Sequence, residues 1–169
     1  GAYCQRHLTH GHFAPTDALC RAGMNLTLST DNMHADMVEL MRWALATGRI
    51  QDDKITEFWQ PEKMFEAATI GGARALGLDA EIGSITVGKR ADLVLFDFQR
   101  PHLRPLTNVL GTLVHTGQGR DVETVIVEGE IVVSNGEPVR VDKMAILDAA
   151  EAAAAALWER ARAEAATNR

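Results

Sequence analysis

Residues 25–31 read Asn25-Leu-Thr-Leu-Ser-Thr-Asp31, and the fold turns on how that run is taken. Leu26 and Leu28 alternate with Thr27 and Ser29 at the period of two that marks a short strand. Gly23, just upstream, is placed to end a preceding helix. The strand therefore closes on a carboxylate, Asp31, and Asn32, Met33 and His34 lead from it into a helical pattern. An acid at the C-terminal tip of a strand, followed by a helix, is where α/β barrels place their chemistry. The same spacing also fits a plainer role in which Asp31 caps the next helix.

Helical patterns flank this run on both sides. Pro15–Ala22 is expected to be a short helix with Ala18, Leu19 and Ala22 on one face. Asp36–Thr47 carries Met37, Leu40, Met41, Ala44 and Leu45 at helical spacing, with Gly48 as its stop. Met37, Met41 and Trp43 at this spacing read as core rather than as a cofactor box. A second short helix is expected over Asp52–Gln60, and a third from Pro61 to about Ile70 with Met64, Phe65 and Ala68 inward. Gly71-Gly72 then bends the chain before Ala73–Leu76. That pair follows no strand and belongs to neither a Gly-x-Gly-x-x-Gly nor a Walker lysine motif, so it reads as close helix packing rather than a phosphate loop.

From Ile82 the period changes to two, which places a domain boundary near Asp79–Gly83. Turns are expected at Gly83-Ser84 and Gly88-Lys89, a strand over Ala91–Phe96, an irregular loop with His102 over Pro101–Pro105, and a helix over Thr107–His115. Val122–Val127 and Glu130–Val133 flank Glu128-Gly129 as a hairpin, and Asn135-Gly136 makes the next turn. Asp142 is a fitting N-cap for a closing alanine-rich helix to about Ala166, anchored by Leu147, Leu157 and Trp158. No heptad of large apolar residues is sustained there, which disfavours a coiled coil.

A chain of 169 residues can bury a core, but a complete (β/α)8 barrel needs about 250 residues. The charge is -6, from 17 Lys and Arg against 23 Asp and Glu with both signs interspersed, which excludes a nucleic-acid surface. No run approaches a membrane span, and no signal-peptide layout opens the chain, so the expected location is cytoplasmic. Cys4 and Cys20 have no framework spacing and are expected to be reduced. Residues 1–13, with Cys4, Arg6, His7, His10 and His12, lack any period and read as a loop.

Two further stretches carry a resemblance: Ala67-Ala-Thr-Ile-Gly-Gly-Ala-Arg-Ala-Leu-Gly-Leu78 and Ile82-Gly-Ser-Ile-Thr-Val-Gly-Lys-Arg-Ala-Asp-Leu-Val-Leu-Phe-Asp97. With Ser29-Thr-Asp31 and Val125-Ile-Val-Glu-Gly-Glu-Ile-Val-Val133, the chain from about Phe13 through Gly136 resembles the C-terminal portion of the amidohydrolase superfamily, in its cytosine-deaminase and triazine-hydrolase-like branch. The resemblance implies an α/β fold: the last strand and following helices of a (β/α)8 TIM-type barrel, part of a small composite β-sandwich domain, and a C-terminal helix. The corresponding divisions are 1–80, 81–141 and 142–169. It implies that Asp31 binds a divalent metal, zinc or iron, and accepts a proton from a water the metal activates. Asn32 and His34 are then the positions expected to touch a small, heterocyclic substrate, although His34 also fits a polar residue at the start of the next helix. Lys89, Arg90 and Asp92 belong to the β-domain and are assigned no chemistry.

The other ligands of that superfamily, a His-x-His pair and further histidines on the fifth and sixth strands, have no counterparts in this chain. His10-Gly-His12 invites comparison with the pair, but it lies just ahead of the Asp31 strand rather than on a first strand. Substrate contact is the better functional reading for that segment, and a solvated loop is the plain one. The implied reaction is hydrolysis of a C–N or C–Cl bond by the parent protein, with this chain a fragment that is inactive and retains no metal by itself. Two alternatives remain: a non-catalytic interaction or dimerisation module, possible as a homo-oligomer, and one chain of a split enzyme completed by an N-terminal chain.

Overall fold

A computed structural model describes residues 14–30 and 35–167. The expected strand at residues 25–31 contributes a single bridge, at Ser29, among the described residues. A strand is held by hydrogen bonds to neighbours, and the described part of this chain offers no parallel ladder for it to join. The segment instead lies against a helix start: the Asn25 side-chain amide donates to the Gly71 carbonyl at 2.8 Å. A Cβ on Gly71 would stand 2.7 Å from the Leu26 carbonyl oxygen, so the glycine serves close packing, as the sequence suggested.

The helical half begins with α1 (Thr16–Arg21). Helix α2 (Met37–Asp52) follows, its first turn capped by Asp36, whose Oδ1 accepts from the Val38 and Glu39 amides at 2.9 and 3.0 Å. The expected stop at Gly48 does not occur. The helix runs one more turn and ends at Asp53, which takes the left-handed conformation at φ 57°. Gly48 is there for packing: a Cβ would come within 2.4 Å of the Trp59 ring.

Residues 53–60, expected to be helical, form turns that insert Trp59 beneath α2. The Arg49 Nε donates to the Trp59 carbonyl at 3.1 Å, and the indole N–H donates to Asp17 at 2.7 Å. A wholly buried indole tied at both ends outweighs the weak helical propensity of the segment. Asp17 also pairs with Arg21 at 2.9 Å, and Arg21 reaches Asp52 at 2.8 Å.

Helices α3 (Pro61–Ala68) and α4 (Ile70–Leu76) meet at Thr69, which has φ -124° and ψ -99°. The bend thus falls ahead of the Gly71-Gly72 pair rather than at it. Leu40, Met41, Ala44, Leu45, Trp59, Met64 and Ala67 make one core, and Leu28 reaches it from the other side. Burying each large member removes roughly 1.5–3 kcal/mol of apolar exposure. Trp43, expected inward with Met37 and Met41, lies on the outer face of α2, where its indole donates to Glu39 at 3.2 Å. Phe65, also expected inward, is partly exposed.

The second half is an antiparallel meander of β1 (Leu93–Phe96), β2 (Val122–Val127), β3 (Glu130–Ser134) and β4 (Glu137–Pro138), ordered β1-β2-β3-β4. Leu93 pairs with Ile126, and Val125 with Val133. Both turns are as expected: Glu128-Gly129 and Asn135-Gly136 carry positive φ at both central residues, which matches strand twist. Lys89, Arg90 and Asp92 staple this region. Lys89 donates to the Asp79 and Ile82 carbonyls, Arg90 pairs with Glu81 and Glu128 at 2.6 Å, and Asp92 accepts from the Glu128 amide at 2.7 Å.

Helix α5 (Val109–Thr116), capped by Asn108, packs against α2 and α3 and brings Val114 into the common core. Helix α6 (Lys143–Thr167) starts at Asp142 as expected, with the Ala145 amide donating to its side chain at 3.0 Å. None of its residues is buried, so Leu147, Leu157 and Trp158 are not anchors among the described residues.

Candidate functional site

Asp31, Asn32 and His34 lie outside the described residues, as do Cys4, Arg6, His7, His10 and His12. What the structure describes is the frame on either side. Ahead of residue 31, Leu28 is buried in the core and Ser29 bridges; from residue 35, Ala35 and Asp36 lead into α2.

Asp36 does more than cap. Its Oδ2 accepts from the Gly119 amide at 2.9 Å, in the 3-10 turn Gly119–Asp121 that feeds directly into β2. Gly119 has to be small: a Cβ would sit 3.0 Å from the Asp36 carboxylate. Nearly two turns along α2, the Arg42 Nε donates to the Val114 carbonyl at 3.0 Å, and its Nη2 donates to the Gly117 carbonyl. A guanidinium at the C-terminus of α5 also meets the negative end of that helix. Sequence reasoning missed both residues, although Asp36-Met-Val-Glu39 has the acid-x-x-Glu form that announces a helix start.

A cavity of about 920 Å³ opens beside this junction, lined by Asp36, Met37, Met41, Phe65, Phe96 and Val125 among others. It is mostly apolar and lies between the helices and one face of the sheet. A smaller polar cleft of about 510 Å³ borders it, with Asp97, Arg100, Arg120 and Glu123. Nearby, His102 Nε2 stands 2.9 Å from the buried Asp121 carboxylate, which also accepts from the Gln118 amide at 3.0 Å. His102, read as a loop residue, thus fastens the 3-10 turn.

Burial pushes the His115 imidazole below its ordinary pKa, and the nearby Arg49 and Arg42 add to the effect. The Cys20 thiol, which is free, is raised by burial. Arg21 and then the Trp59 indole hold Asp17 below the usual carboxylate range by hydrogen bonding.

The model of the amidohydrolase family matches residues 4–132. The chain belongs to the amidohydrolase family. Among curated proteins it is similar to the 5-methylthioadenosine/S-adenosylhomocysteine deaminase of Moorella thermoacetica, at 42% identity over 135 residues, which is 76% of this chain and 31% of that protein. It is also similar to the 5'-deoxyadenosine deaminase of Methanothermobacter thermautotrophicus, at 37% identity over 148 residues, 85% of this chain and 34% of that protein.

Among solved structures, a zinc-bound adenosine deaminase from Xanthomonas campestris superposes with a TM-score of 0.83 at 32% identity, over 89% of this chain and 35% of that one. The zinc complex of an atrazine chlorohydrolase from Arthrobacter aurescens TC1 superposes with a TM-score of 0.75 at 23% identity, over 88% and 34%, a likeness of fold alone. The chain spans about a third of the length of these proteins. Its fold is accordingly part of an amidohydrolase barrel with part of the small β-domain.

The zinc of those structures sets a test for the residues here. Among the described residues, no three His, Cys, Asp or Glu side chains come together to hold an ion. A zinc site takes three or four protein ligands. The described residues therefore do not fit a metal site by themselves.

Proposed function

We propose that this chain is the C-terminal portion of an amidohydrolase that removes the amine of an adenosine-type heterocycle by hydrolysis. The observation that carries this reading is the 42% identity to a deaminase of 5-methylthioadenosine and S-adenosylhomocysteine, supported by the superposition on a zinc-bound adenosine deaminase. Likeness to the chlorohydrolase is one of fold, so C–N rather than C–Cl cleavage is the reaction we assign.

In this reading water adds to the ring carbon that bears the amine, the C–N bond breaks, and ammonia leaves. Asp31 acts as one metal ligand and as the carboxylate that takes a proton from the water and delivers it to the departing nitrogen. A divalent metal, when bound, lowers the pKa of that water toward about 7. Asn32 and His34 hold the substrate by hydrogen bonds. The remaining ligands come from outside this chain, so the chain alone is inactive. The divisions 1–80, 81–141 and 142–169 correspond to barrel, β-domain and closing helix.

The test is a graft in which this chain replaces the matching portion of the Moorella deaminase, assayed for ammonia release from 5-methylthioadenosine. Activity that falls at least about a thousandfold in Asp31→Ala, as expected on losing a ligand and proton carrier together, supports the reading. A well-folded graft that is inactive, or one indifferent to Asp31→Ala, overturns it.

One observation favours a second reading, an interaction module: α6 has no buried residue among the described residues. Sedimentation of the 169-residue chain tests it, because a stable dimer lost on deleting residues 143–169 would support that role.

A further inference from the structure

We propose that the cavity between the helices and the sheet binds a small amphiphile, an aliphatic monocarboxylate whose tail lies against the sheet and whose head pairs with Arg120. This goes beyond the deaminase reading and does not rest on it, because it uses neither a metal nor any residue assigned to that reaction.

The size and walls of the cavity are those of a ligand site. Its volume is about 920 Å³, within the roughly 300–1,000 Å³ of small-molecule pockets. One wall is the sheet, through Val94, Phe96, Val125 and Val133, and the other is helical, through Phe65 and Leu113. Phe96 and Leu113 rest against the common core, which anchors the floor. Phe65 and Val94 leave much of their surface open. A wall of this kind gains up to about fourfold in affinity for each methylene it takes out of water.

The charges around the cavity decide the head group. Among the described residues that line it, the ionisable side chains are Asp36, Arg120 and Glu137. Asp36 is engaged with backbone amides, and Glu137 accepts from the Lys143 ammonium at 2.8 and 2.9 Å. Arg120 makes no hydrogen bond or ion pair through its side chain among the described residues. It also stands at a seam, because it lines both the apolar cavity and the polar cleft of about 510 Å³ beside it. An exposed guanidinium at the mouth of an apolar cavity matches a carboxylate on an apolar tail, which it can hold through two parallel hydrogen bonds. Within the cleft, Arg100 is taken by Asp97 at 2.9 Å, and Glu123 forms no ion pair among the described residues. A second negative charge on the ligand would meet Glu123, so the head carries one.

Calorimetric titration of decanoate into the 169-residue chain tests this, with Arg120→Ala and the uncharged probe decanol beside it. Arg120 is exposed, so the variant should unfold at the same urea concentration as the original chain. Arg120→Ala should weaken decanoate about tenfold or more, the scale of one charge-assisted pair, while decanol binds both chains alike. Octanoate should bind the original chain about tenfold more weakly than decanoate, and acetate should not bind, because the tail supplies the affinity. Decanoate held equally by both chains, acetate held as tightly as decanoate, or no decanoate binding up to about 1 mM overturns the proposal.

Discussion

The two halves of the chain bury their apolar residues very differently. Of the twelve buried hydrophobics among the described residues, ten, from Leu28 to Ala73, lie in the first half, whereas the second contributes Leu103 and Val114. The helices α2 and α3 and the Trp59 turn satisfy one another at short range. The strands do not: Val94, Phe96, Val125 and Val133 face the large cavity, while Leu93, Leu95, Ile126 and Ile131 are apolar on the opposite face. A sheet apolar on both faces is written for two covering layers. The described residues supply part of one. Together with the unburied α6, this marks the second half as a surface for a larger body, in keeping with a chain that spans about a third of its relatives.

This contrast can be broken or sharpened by mutation. The largest effect should come from Trp59→Ala, which empties the centre of the helical half and should cost about 4 kcal/mol in urea unfolding. Gly48→Ala should cost about 2 kcal/mol by driving a methyl group into the same indole, and pairing it with Trp59→Leu should recover part of that loss.

A smaller effect concerns pH. Because His115 is held below its ordinary pKa, the unfolded chain takes up a proton there before the folded chain does. Its contribution is therefore fully present above about pH 6.5 and is lost as pH falls from there through the folded value. His115→Gln should flatten the stability profile across that window. Least of all, Trp158→Ala on α6 should change stability by less than about 0.5 kcal/mol, because the ring touches no core. A larger loss would show that α6 is packed in solution, against a second copy or back on the chain.

The same contrast explains what the sequence made legible. Caps and turns are local, so Asp142, Glu128-Gly129 and Asn135-Gly136 were readable from residue type alone. Gly48 was misread as a stop because its role is set by Trp59, eleven residues away, through a contact no local pattern records. The segment 53–60 was misread for the same reason: a buried indole overrides weak propensity. Leu147, Leu157 and Trp158 looked like anchors because apolar residues in a helix ask for a partner, and the described residues do not provide one. The strand at 25–31 has the right alternation, but a ladder needs neighbours. At the site, the strand pattern singled out Asp31 and the family resemblance gave it a metal role, but it lies outside the described residues, whereas the link from Asp36 to Gly119 joins distant residues and became visible only in three dimensions.

The measurement that bears most directly on the central claim is zinc per polypeptide, by elemental analysis, in the graft carrying this chain and in the same graft with Asp31→Ala. The account predicts about one zinc in the first, and loss of most of it in the second once a mild chelator is applied. Equal zinc in both would contradict the assignment of Asp31 as the ligand this chain supplies.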